Sequence, residues 1–167
     1  MVEREPIVEK EQITYEGLFS FKEIINLIED WQSSKRYVPF ERKSVESVRS
    51  HGKFVEYLYQ QYRKPSDYIK FVIWIRLLGS DIKEKEVERD GHKIVLVEGK
   101  MQSILDAFLE TDWEKRWESK PIFYFLRAIW DKYIYAPFLS GARQEVKGDA
   151  MQLKGLLKSY LNMQRFA

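Results

Sequence analysis

Three acidic residues stand close together in the segment "ETDWEKRWE", at Glu110, Asp112 and Glu114. Neighbouring carboxylates can act as a general acid and a general base when burial separates their pKa values. In an extended strand these residues share one face, and Lys115 and Arg116 are nearby ion-pair partners. We therefore interpret them as a solvated or salt-bridged face and not as an acid–base pair.

Two other carboxylates, Glu56 and Asp106, interrupt apolar runs of the sequence. A lone buried carboxylate is destabilising unless it is paired, so the simpler interpretation places both on a solvent-facing side. If either points inward, we expect it to select the polar end of a ligand. An enzyme of the cyclase or hydrolase type is the alternative, with one of the two as its base.

The remaining residues that carry chemistry are few. His51 and His92 fall in predicted turns, without the spacing of metal ligands. There is no cysteine, no glycine-rich phosphate loop, no nucleophile elbow and no H-E-x-x-H sequence. The sequence thus predicts no catalytic residue, no metal and no cofactor, and a non-enzymatic role is favoured.

The bulk composition narrows the class of protein. The 167 residues suit one domain, residues 1–167, and their formal charge of +2 lacks the basic excess of a nucleic-acid-binding domain. Met1–Lys10 is charged and has no apolar signal core, so we expect a cytoplasmic protein. The aromatic content is 15%. This content is high, and these rings need to be buried.

The first two thirds of the chain read as a strand, a helix and then a series of hairpins. Gln12–Phe19 alternates as a strand, and Ser20 with Glu23 forms a capping box before a helix that is expected to end around Ser33–Ser34. Turn residues then divide the chain into six runs: Phe40–Arg49, Phe54–Arg63, Tyr68–Leu78, Ile82–Glu88, Lys93–Val97 and Met101–Trp113. Met101–Trp113 also carries a helical spacing, but the hairpin series favours a strand.

The last third is predicted to be helical. Pro121 suits the first turn of a helix that runs to about Tyr135. Ser140 is a candidate cap for a longer helix that ends near Met163. Its apolar stripe consists of Val146, Ala150, Leu153, Leu157 and Tyr160.

This order of elements predicts an α+β fold. A seven-stranded antiparallel sheet, with one helix after its first strand, is expected to curve around the long C-terminal helix. In "YIKFVIWIRLL" one face of the strand is wholly apolar and needs a cover. We expect an elongated apolar cavity between sheet and helix, a kind of site that suits small hydrophobic ligands. The predicted floor and helical lid of this cavity are Phe71, Ile73, Ile75, Leu105, Leu109, Val146, Leu153 and Leu157.

The arrangement resembles the START-like, or helix-grip, superfamily of lipid-transfer, polyketide-cyclase-like and Bet v 1-like proteins. The resemblance covers about residues 10–163 and is carried by the element order and by "WESKPIFYFLRAIWDKYIYAPFLSGARQEVKGDAMQLKGLLKSYL" at 117–161. It implies an internal cavity for a lipid, sterol or polyketide-like molecule.

The stretch "KPIFYFLRAIWDKYIYAPFL", residues 120–139, contains seven aromatic residues. It is not expected to span a membrane, because Arg127, Asp131 and Lys132 lie in its middle and Pro137 interrupts it. We interpret its rings first as core that packs against the open end of the sheet and the first helix. The alternatives are a gate at the cavity mouth, or a surface that docks a protein or a membrane.

Overall fold

In a computed structural model of the protein, residues 3–112 and 121–165 are described. Their strands and helices, in chain order, are β1 (Glu3–Phe19), α1 (Phe21–Ser34), β2 (Val38–Arg49), β3 (Gly52–Arg63), β4 (Ile69–Arg89), β5 (His92–Thr111), α2 (Pro121–Tyr133) and α3 (Ala136–Arg165). The fold is α+β, with strands in the first part of the chain and two consecutive helices after them.

The described strands form one antiparallel sheet in the order β1-β5-β4-β3-β2. Short hairpins connect β2 to β3, β3 to β4 and β4 to β5, so these four strands are neighbours in chain order. The first strand, β1, pairs with β5 along almost its whole length. The first strand therefore starts at Glu3, well before its predicted start at Gln12. The two edges of the sheet are β1 and β2.

The predicted count of seven strands is wrong, because two expected turns are bends inside long strands. Residues 79–81 lie within β4 and residues 98–100 within β5, and the register shifts between Ser80 and Lys83. A side chain on Gly99 would meet the carbonyl oxygen of Ser80 at 2.9 Å. The glycine permits this close approach, so the bend is a β-bulge and not a hairpin.

Two of the helices cover one face of the sheet. Ile24, Ile28 and Trp31 of α1 and the apolar stripe of α3 pack against the inward residues of β4 and β5 in one hydrophobic core. The predicted α3 stripe is buried, which confirms it. The helix begins earlier than expected, at Ala136, because Pro137 is tolerated in a first helical turn.

Candidate functional site

A groove of about 570 Å³ lies at the end of the sheet where β1 begins and β5 ends. Its walls come from four elements, and its lining residues are Glu3, Arg4, Glu5, Pro6, Leu109, Thr111, Lys132, Leu139 and Arg143. The volume falls in the range of small-molecule pockets. Leu109 belongs to the set that the sequence predicts as a ligand-binding floor.

The groove combines apolar and cationic side chains. Pro6, Leu109 and Leu139 are apolar, while the Arg143 Nε donates to both carboxylate oxygens of Glu5 at 3.0 Å. The Lys132 ammonium lies 5.5 Å from the centre of the Tyr133 ring. Lys132 lines the same groove and brings a second positive charge to it.

Beside the groove, α2 exposes a stripe of large apolar side chains. We call this the α2 stripe; its members, 40–71% exposed, are Ile122, Phe125, Leu126, Ile129, Trp130 and Tyr133. They recur at intervals of three and four residues, so they share one helix face. Ile134 and Phe138 continue the exposed surface into α3. The core interpretation of the aromatic segment is therefore wrong for Phe125, Trp130, Tyr133 and Phe138.

Ring contacts hold the α2 stripe in place. Tyr135 contacts Tyr68 edge-on at 5.0 Å, Trp130 at 6.5 Å and Phe138 at 5.6 Å. Tyr68 precedes β4 and packs against the core. The junction of α2 and α3 is thus fixed to the sheet, while the stripe itself faces outward. The side chains of Phe123 and Tyr124 lie outside the described part of the structure.

The eight residues predicted to bind a ligand lie together, but as a packed interior. Each is at most 1% exposed, and all belong to the one hydrophobic core. Leu109 alone among them lines the groove. Their burial is explained by packing of α3 on the sheet, and a ligand-binding role for the other seven stays a prediction.

Two buried polar side chains lie on the covered face of the sheet. Gln61 is 1% exposed and sits beside Ile73 in the register, while Ser103 sits beside Leu77. Within the described residues, neither the Gln61 amide nor the Ser103 hydroxyl has a hydrogen-bond partner. Buried polar groups normally have one, from protein or from water. Sequence reasoning missed both, although each occupies an inward position of an alternating strand.

The proposed polar selectors do not face this interior. Glu56 and Asp106 lie on the outer face of the sheet, since their neighbours in sequence point inward. The Arg76 Nε lies 3.5 Å from Glu56, and the backbone N–H of Lys10 donates to Asp106 at 2.8 Å. The interpretation that both face outward fits this placement, whereas a selector or catalytic base in the interior does not.

The acidic cluster at the end of β5 has a structural role where it is described. Glu110 is 3% exposed and forms ion pairs with Arg4 and Lys70. Burial alone would raise the pKa of Glu110, but hydrogen bonds from Lys70 and Arg4 outweigh it and lower the pKa below its usual value. Asp112 is buried at the end of β5, and Glu114 lies outside the described residues.

A second buried carboxylate, Asp149, joins α3 to the end of α1 and to β3. It accepts a hydrogen bond from the Tyr37 hydroxyl at 2.9 Å and lies 3.0 Å from the Lys35 ammonium and 3.2 Å from the Arg63 guanidinium. Burial, and then the nearby Asp149 carboxylate, raise the pKa of Tyr37 far above its usual value. The phenol therefore stays protonated and acts as a permanent donor.

Within residues 3–112 and 121–165, none of the helices combines the length and the apolar content of a membrane-spanning segment. Comparisons with protein-family models, with curated proteins and with solved structures found no match to this chain. The resemblance to the helix-grip superfamily stays a prediction from the sequence.

Proposed function

We infer that the protein binds an amphiphilic, lipid-like molecule with an acidic headgroup in the groove at the end of the sheet. The observation that carries this proposal is the α2 stripe, which leaves six large apolar side chains in water directly beside a groove of ligand size. Extended apolar surface on a protein commonly marks an interaction site. A ligand chain lying along the stripe removes that surface from water.

The placement of Lys132 orients such a ligand. Phe125, Ile129 and Lys132 lie on one side of α2, because they are four and three residues apart. An acyl chain contacting the first two brings its headgroup to the ammonium of the third. Arg143, from α3, also lines the groove and supplies a second cation that it shares with Glu5.

Burial of the α2 stripe supplies enough free energy for binding. Full burial of one large apolar side chain contributes about 1.5–3 kcal/mol. A ligand that covers three half-exposed members of the stripe therefore gains about 2–4 kcal/mol from contact with α2 alone. The apolar floor of Leu109 and Leu139 adds to this.

A dansyl-labelled fatty acid tests the proposal, with fluorescence enhancement as the measure of binding. Phe125→Glu and Ile129→Glu are expected to weaken binding about tenfold each, since each places a carboxylate in the path of the chain. Val95→Glu is the matched control, because Val95 is 60% exposed near the start of β5, at the other end of that strand from the groove. Binding that is absent in the natural protein, or equal in all four proteins, contradicts the proposal.

The headgroup is tested separately with Lys132→Glu. This change is expected to weaken an acid-headed probe and to leave a neutral alcohol-headed probe of the same chain length nearly unaffected. Equal loss for both probes would show that Lys132 does not recognise the headgroup.

A deeper ligand site, between the sheet and α3, is a second candidate. The unpartnered Gln61 and Ser103 side chains favour it, because a ligand's polar group or a buried water satisfies such atoms. A ligand at this deeper site would be surrounded by the eight floor and lid residues that the sequence predicts.

A docking role for the same helix is the third candidate. The spacing of the α2 stripe matches helices that insert their apolar face into a partner's groove. The groove beside the stripe carries both signs of charge, with Lys132 and Arg143 against Glu3 and Glu5, and a polar border of this kind is typical of a protein interface. A partner protein that is captured in a pull-down equally well with and without added fatty acid would indicate docking and not ligand binding.

A further inference from the structure

The edge strand β2 exposes both its backbone and several apolar side chains. Eleven of its twelve residues are exposed, and the large apolar ones among them are Val38, Phe40, Val45 and Val48. An edge of this kind is a template for pairing with another strand. The opposite edge is different, because β1 carries irregularities between Pro6 and Glu11 that interrupt pairing.

The register of the β2–β3 hairpin shows which backbone groups are free to pair. Arg49 and Gly52 flank a two-residue turn and pair with each other, so they exchange both hydrogen bonds. In an antiparallel ladder such pairs alternate with pairs whose N–H and C=O groups point away. The residues of β2 that direct their backbone groups to the open edge are therefore Arg42, Ser44, Glu46 and Val48.

The charges on these four open-edge residues are self-complementary. When two copies of β2 run antiparallel about a two-fold axis at Ser44, Arg42 of each copy lies opposite Glu46 of the other. An axis at Lys43 would instead bring two ammonium groups together. An axis at Val45 would separate Arg42 from Glu46. The charge pattern thus favours one register of the three.

The present partners of these two side chains do not prevent this pairing. Arg42 contacts Glu29 at 2.7 Å and Glu46 contacts Lys53 at 2.5 Å, and all four side chains are 37–50% exposed. Exposed ion pairs contribute little to stability. A guanidinium has five N–H donors, so Arg42 can bind a second carboxylate without leaving the first.

We propose that β2 is a homodimer interface, in which two copies pair antiparallel about a two-fold axis at Ser44 and form one continuous ten-stranded sheet. The interface is independent of the ligand proposal, because it lies at the edge of the sheet and leaves the groove and the α2 stripe open.

Single-cysteine cross-linking tests the register, since the chain has no natural cysteine. Hydrogen-bonded residues facing each other in an antiparallel pair have Cα atoms about 5.5 Å apart, which is within disulfide range. Ser44→Cys is therefore expected to give a covalent dimer under mild oxidation. Ser47→Cys is the control, because the register places its two copies six residues apart along the strands, about 20 Å.

Charge reversal tests the energetics by sedimentation equilibrium of the full chain. Arg42→Glu and Glu46→Arg are each expected to raise the dimer dissociation constant about tenfold, because each change acts twice across the axis. The double variant is expected to restore the natural value. Lys43→Glu, the same change of charge on the other face of β2, is expected to have a smaller effect.

Three results would overturn the proposal. They are a natural protein that stays monomeric at about 1 mM, cross-linking of the Ser47→Cys control as fast as of Ser44→Cys, and a double variant no better than the single ones. A circular dichroism spectrum identical to that of the natural protein verifies that each variant is folded.

Discussion

The hydroxyl of Tyr160, near the end of α3, donates a 2.6 Å hydrogen bond to Glu23 and accepts one of 3.1 Å from the backbone N–H of Ser20. Ser20 caps α1, and its side chain accepts from the Glu23 N–H at 3.3 Å. In an ordinary capping box the Glu23 carboxylate would itself reach the Ser20 N–H. Here the tyrosine stands between them, so the start of α1 is fixed to the end of α3.

Tyr160→Phe removes this link while keeping the ring. It leaves the Ser20 N–H without its partner and removes a hydrogen bond to a charged group, so we expect the free energy of unfolding to fall by about 1–3 kcal/mol. Urea denaturation measures it. Tyr133→Phe, at a 71% exposed ring, is the control and should change stability little. Equal effects of the two changes would contradict the role of Tyr160.

The covered face of the sheet and the stripe of α3 were predictable from the sequence. The apolar residues of β4 from Ile69 to Leu77 alternate without a break, and one face of α3 is uniformly apolar. In both elements the need to bury one face is visible in the spacing of neighbouring apolar residues. The bends at Gly79 and Gly99 were not predictable, because glycine followed by polar residues suits a turn and a bulge equally. Only the pairing of β4 with β5 distinguishes them.

The Asp149 cluster and the exposed face of α2 were less predictable, because both depend on contacts between residues that are distant in sequence. The Asp149 cluster joins residues more than 80 positions apart, and Asp149 itself lies beside the predicted stripe of α3 without any local signal of burial. The helix at 121–133 was predictable from Pro121 and the apolar spacing. Its outward exposure was not, because apolar periodicity identifies the helix face but not what lies against it.

Asp149→Asn tests the cluster that joins α1, β3 and α3. The change removes a buried charge and leaves Lys35 and Arg63 without their shared carboxylate, so we expect a loss of about 3 kcal/mol in the free energy of unfolding. Glu145→Gln is the control. Its carboxylate also contacts Arg63, at 2.5 Å, but is half exposed, and we expect a loss of at most about 1 kcal/mol. The reverse order would show that Glu145, not Asp149, holds Arg63.

Glu110 is expected to make stability depend on pH in the acid range. Its pKa is lowered in the folded protein, so its contribution is complete above the unfolded value of about 4.3 and is lost as the pH falls through the folded value. Glu110→Gln should therefore destabilise by about 1–3 kcal/mol at pH 7. The difference from the natural protein should shrink below about pH 4. Denaturation from pH 7 to 3 measures it, and a difference that is constant with pH would rule out this origin.

Arg36→Gly is expected to stabilise the protein. Arg36 follows α1 with φ of 60°, and the Arg36 and Tyr37 N–H groups bond to Ser33 and Gln32 in the Schellman pattern, where glycine is usual. Relief of the left-handed backbone should raise the free energy of unfolding by about 0.5–1 kcal/mol. Ser33→Gly, inside the same helix, should instead lower it. Thermal denaturation of both variants checks the sign.

A crystal structure with a fatty acid brominated at the end of its chain is the most direct test of the proposed ligand site. The anomalous signal of bromine locates the chain end without interpretation of weak density. The groove proposal predicts bromine against the α2 stripe, beside Phe125 and Ile129, with the carboxylate near Lys132. Bromine between the sheet and α3, next to Ile75 and Leu153, would contradict it in favour of the deeper site, and a structure with no bound bromine would contradict both.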